Sequence, residues 1–80
     1  MKDDNAEQVA AETERAGELL SRAASMLKAQ GEKMQTAAAL IRTGSYPPEY
    51  ARTLTYDISV ASSEATTICH EAANVIHRAL

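Results

Sequence analysis

Cys69, His70, Glu71 and His77 are the one cluster in this chain whose side chains could bind a metal or supply a nucleophile and its base. Their spacing argues against both. On a helix, His70 and His77 stand two turns apart, roughly 10 Å, whereas one ion held from a single helix needs ligands one turn apart. Asn74 has that spacing from His70, but an amide is a poor zinc ligand. Cys69 and His70 are consecutive, and consecutive helical residues point away from each other, so they form no dyad. The expectation is two solvent-facing histidines, with His77 suited to a helix C-terminus, and a half-buried structural thiol. The carboxylates are scattered and no glycine-rich phosphate loop exists. No catalytic residue, metal or cofactor is expected. The remaining conspicuous pair is Tyr46 and Tyr50 around Pro47 and Pro48, expected to pack over the open end of a hairpin.

These residues sit on or beside two long helix-permissive arms. Helix-compatible sequence stops and restarts only between Arg42 and Tyr50. Gly44 can take the left-handed conformation that ends a helix, and Pro48 presets the backbone for a first helical turn. The spacing predicts helix 1 over about 6–43, a turn at 44–47 and helix 2 over about 48–79. Residues 1–11 would overhang the shorter second arm as a frayed acidic segment, leaving 12–80 as the hairpin. The class is therefore all-α: an antiparallel two-helix hairpin, coiled-coil-like, completed by a partner or by self-association.

Apolar positions in both arms follow alternating steps of three and four, the spacing of a helix seam. In the first arm the row is Thr13, Ala16, Leu20, Ala23, Leu27, Gln30, Met34, Ala37 and Ile41. In the second it is Ala51, Leu54, Ile58, Ala61, Ala65, Ile68, Ala72, Val75 and Ala79. Folding the arms about the turn sets large against small at nearly every level: Ala37 against Leu54, Leu27 against Ala65, Ala23 against Ile68, Leu20 against Ala72, Ala16 against Val75. Lys33 and Asp57 should meet across one edge. Glu18 with Arg22 and Lys28 with Glu32 have the favourable spacing for pairs on the outer side.

Beside this seam lie two edges. One carries Leu19, Met26 and Leu40 opposite Tyr50, Asp57, Glu64 and Glu71. The other carries Gly17, Ala24 and Gly31 opposite Thr55, Ser62, Cys69 and Ile76. Two helices cannot enclose such rows, so Gly17, Leu19, Ala24, Met26, Gly31, Leu40, Tyr50, Cys69 and Ile76 are the candidate partner-binding residues.

Composition narrows the class of partner. The 80 residues are 45% hydrophobic and 24% charged, ordinary for a soluble domain, but alanine dominates and Trp and Phe are absent. A chain this short buries a modest fraction of its surface even when compact. A net charge of −3 with interspersed signs gives no basic stripe, which counts against nucleic acid and anionic membranes. A single cysteine fits a reducing cytoplasm. No apolar run approaches the roughly 18 residues of a spanning helix, and no cleavable export signal is expected.

Arg42, Gly44, Pro48, Glu49 and Tyr50, followed by an Ala/Ile-rich helix through Ile76, resemble the corresponding stretch of the small type III secretion co-chaperones of the YscE/EscE/SsaE family. The resemblance covers about 35 residues. It implies a non-enzymatic, bacterial cytoplasmic hairpin that binds a tetratricopeptide-like partner chaperone. Together the two would hold the needle subunit monomeric until export. Two other classes remain open: a homodimeric four-helix-bundle regulator or adaptor, self-associating when alone, and a secreted heterodimeric hairpin of the kind with a Trp-x-Gly turn. The lack of a basic face counts against an RNA-binding form of the first, and the lack of Trp against the second.

Overall fold

A computed structural model describes the backbone of residues 2–80 and the side chains of residues 5–80. It contains two helices, α1 (Lys2–Arg42) and α2 (Tyr50–Ala79), packed along their length as an antiparallel hairpin. At 41 and 30 residues the arms are unequal, and the first turns of α1 project past the end of α2 as continuous helix. The expected fraying of the overhang concerns in part Met1, which lies outside the described residues.

α1 ends because Gly44 adopts φ +80°, a conformation that carries no penalty without a Cβ. The Gly44 amide then donates to the Ile41 carbonyl at 3.1 Å and the Ser45 amide to the Leu40 carbonyl at 2.9 Å. This is the Schellman arrangement, which satisfies carbonyls the helix leaves open. Pro47 to Glu49 form a tight turn in which the Tyr50, Ala51 and Arg52 amides donate three residues back to Pro47, Pro48 and Glu49. Regular α-helix therefore opens at Tyr50, slightly later than the proline alone suggests. Tyr46 and Tyr50 meet across the turn with ring centroids 4.5 Å apart and planes tilted by 58°.

The seam between the arms is narrow and built mainly of small side chains. Ala16, Ala23 and Ala37 of α1 and Leu54, Ala61, Ala65, Ala72, Val75 and Ala79 of α2 are buried. Ala16, Ala72 and Val75 form one packed cluster, with Leu19 and Ile76 against its sides. The molecule is long and thin, 65 × 16 × 7 Å between Cα extremes with a radius of gyration of 18.7 Å. A compact chain of this length would have a radius near 12 Å.

Of the five levels named above three are present, and at the two that carry Leu20 and Leu27 α1 is rolled by one residue. The levels Ala37/Leu54, Ala23/Ile68 and Ala16/Val75 stand, each with both members buried or half-buried. Leu20 and Leu27, expected in the seam, are each 49% exposed, and Ile58 is 48% exposed; Ala51 is also outside. Leu19 and Met26 take the inward places. The cause lies in what flanks each row. On the Leu19/Met26 side the flanking positions carry long side chains such as Lys33, Glu71 and Arg78, whose aliphatic stems are long enough to shield apolar neighbours. On the Leu20/Leu27 side the neighbours are Gly, Ala, Ser and Cys, too short to cover a leucine.

Candidate functional site: an uncharged open face

The two broad faces of the hairpin differ in chemistry. One is polar and carries the ion pairs, one of them bridging the two arms. Lys33 Nζ donates to Asp57 Oδ2 at 2.7 Å, linking the arms as the sequence suggests. That hydrogen bond, and then the negative charge of Asp57, holds the Lys33 ammonium above the ordinary lysine range. Nearer the end of α2, Arg78 Nη2 lies 3.2 Å from Glu71 Oε1. These are the ion pairs among the described residues. Glu18–Arg22 and Lys28–Glu32 do not form; all four side chains are exposed, where water competes well with such contacts.

Beside the Lys33–Asp57 pair runs an open groove of about 420 Å³ lined by Met26, Gln30, Tyr56, Val60 and Glu64 among others. Gln30 is a half-buried seam position with a polar side chain, and its Oε1 is buried without a protein donor. Tyr56 and Val60 are exposed here, but they alternate with charged groups rather than forming a continuous apolar surface.

The opposite face has no charge along its middle. On α1 it presents Gly17, Leu20, Ala24, Leu27 and Gly31; on α2 it presents Thr55, Ile58, Ser62 and Cys69, all exposed. Isolated exposed leucines mean little, whereas three large aliphatic side chains on one uncharged two-helix surface form a patch of the kind that marks an interface.

The candidate binding residues divide between the two faces. Gly17, Ala24, Gly31 and Cys69 lie on the open face. Cys69 is exposed rather than half-buried, because the small residues around it leave its thiol uncovered. Leu19, Met26, Leu40, Tyr50 and Ile76 are half-buried and belong in large part to the packing of the hairpin itself. Leu20, Leu27 and Ile58 are the surface residues that sequence periodicity assigns to the seam. A signal for them exists in the sequence: the row they occupy is flanked only by small residues, so nothing in the chain can cover it.

Among the described residues no group of three potential metal ligands converges. Among the same residues no helix is long and apolar enough to cross a membrane. Comparison with protein-family models, with curated proteins and with solved structures finds no match.

Proposed function

We propose that this chain is a non-catalytic helical co-chaperone of a type III secretion system. It binds and stabilises a tetratricopeptide-like chaperone in the bacterial cytoplasm, and the pair keeps the needle subunit monomeric. The observation that carries the binding part is the uncharged face with Leu20, Leu27 and Ile58 exposed on a rigid two-helix frame. Such a face fits apolar surface between the helices of a helical-repeat partner. Support for this particular system comes from the likeness at Arg42, Gly44, Pro48, Glu49 and Tyr50. The action is physical: each member covers apolar helix surface that would otherwise self-associate.

Expression of a tagged chain in its native host, followed by mass spectrometry of what co-purifies, tests the reading. A helical-repeat protein together with a short amphipathic helical protein is the expected recovery, lost when Leu20 is replaced by Glu. Recovery of neither would overturn it.

A further inference from the structure

We infer that, in the absence of another partner, the uncharged face is covered by a second copy of this chain, two hairpins packing face to face as a four-helix bundle. The inference uses the face invoked above but does not depend on the identity of the partner proposed there.

Area argues first. A folded monomer of 8.6 kDa exposes roughly 4,700 Å² by the usual scaling with mass. This hairpin exposes 6043 Å². The excess reflects a thin shape, 65 × 16 × 7 Å between Cα extremes, whose broad faces are uncovered. A standard interface removes about 800 Å² from each partner. The face comes close to that: α2 is about 45 Å long at 1.5 Å per residue, and with the 16 Å breadth between Cα extremes its footprint is about 700 Å², inside the range of roughly 600–1,000 Å² per partner of stable interfaces.

Register argues for a second copy as the occupant. Lys33 opposite Asp57 and Ala16 beside Val75 fix which residues of the two arms share a level. By that register, Leu20 and Leu27 lie level with the Cys69–Ala72 and Ser62–Ala65 stretches of α2. Ile58 lies within about two residues of the level of Gly31. A two-fold axis parallel to the helices sets α1 of one copy over α2 of the other at the same level. Every large residue of the face then meets a small one on its neighbour.

The glycines support this arrangement. Each costs up to about 1 kcal/mol relative to alanine in a helix interior. Neither is needed by the hairpin, since a Cβ at Gly17 or Gly31 would meet nothing within 4 Å. Facing α2 of a second copy, with Ile58 near Gly31, their missing side chains let the helices approach.

Sedimentation equilibrium of the purified full chain, with no other protein present, tests the inference. The expected mass at low micromolar concentration is twice 8.6 kDa. Gly31→Leu should weaken association at least about tenfold while helicity by circular dichroism is kept or raised. Tyr56→Ser, on the other side of the hairpin, should leave the mass unchanged. As a measurement on the unaltered chain, maleimide labelling of Cys69 should slow as protein concentration rises. A helical monomer throughout, a Gly31→Leu chain that pairs normally, or a labelling rate independent of concentration would each overturn the inference. A monomer that still retains a helical-repeat partner would remove the dimer and leave the proposed function standing; a dimer that captures none would do the reverse.

Discussion

Met26 and Leu27 are neighbours in sequence with similar hydrophobicity and opposite situations. Met26 is half-buried, on the side where Lys33 and Asp57 bridge the arms; Leu27 is 49% exposed, on the side where Gly, Ala, Ser and Cys flank it. The contrast extends along the hairpin. On one face, long charged side chains close the structure that the alanine seam begins. On the other, short side chains leave leucine and isoleucine to be covered by something else. Burial of an apolar residue here depends less on its own type than on the length of the side chains across from it.

The sharpest way to break the comparison is to place charge on the open face. The double substitution Leu20→Glu/Leu27→Glu should abolish association, with a loss of at least about 100-fold, because burying two leucines contributes roughly 1.5–3 kcal/mol each and an unpaired carboxylate cannot be buried in their place. The hairpin itself should remain helical, since neither side chain is part of its core. Chromatographic mass and circular dichroism on the same sample separate the two effects. Association at the original strength would mean that the interface lies on the charged face.

Met26→Glu should act the other way, by a smaller amount. It removes a half-buried side chain from the closed side and puts a carboxylate beside the Lys33–Asp57 pair and Glu64. The expected loss is about 2 kcal/mol of hairpin stability, read as a lower midpoint in urea unfolding. If Met26→Glu changes association alone and leaves the midpoint where it was, the distinction between the two faces fails.

How much of this was legible in the sequence follows from the same contrast. The turn was readable, because Gly44 and Pro48 have strong local preferences that no packing overrides. The register was readable too: Ala16, Ala23 and Ala37 match larger residues on α2, and Lys33 meets Asp57. The roll of α1 was not legible in the spacing. Two apolar rows, Leu19/Met26 and Leu20/Leu27, both satisfy it, and only the small residues flanking the second distinguish them; near the turn Leu40 and Ile41 are both half-buried. The choice depends on which row the other arm's long side chains can reach, a property of three-dimensional neighbours rather than of spacing.

Gln30 offers a finer probe of the closed side. It occupies a seam position level with Ala61, and its buried Oε1 has no protein donor. An amide in that position costs stability unless something hydrogen-bonds to it. Gln30→Leu should therefore raise the unfolding midpoint, by about 1 kcal/mol, since Ala61 leaves room for the leucine. A decrease would mean that the amide is satisfied in solution and contributes to holding the register.

The smallest effect is expected at the ion pair. Lys33 is exposed and Asp57 half-buried, still open to water, and such pairs add little to stability. Its sign is nevertheless determined. The Lys33 pKa is raised in the folded chain, so folding is favoured while the lysine is protonated in both states. That contribution is complete below the unfolded lysine pKa and fades as pH rises through the folded value. Asp57→Asn should then lower the urea midpoint slightly at neutral pH, and the gap from the unaltered chain should close in strongly alkaline buffer. A gap that persists there would assign the contribution of Asp57 to packing on the closed face rather than to charge. The closed face would then owe its closure to side-chain length alone.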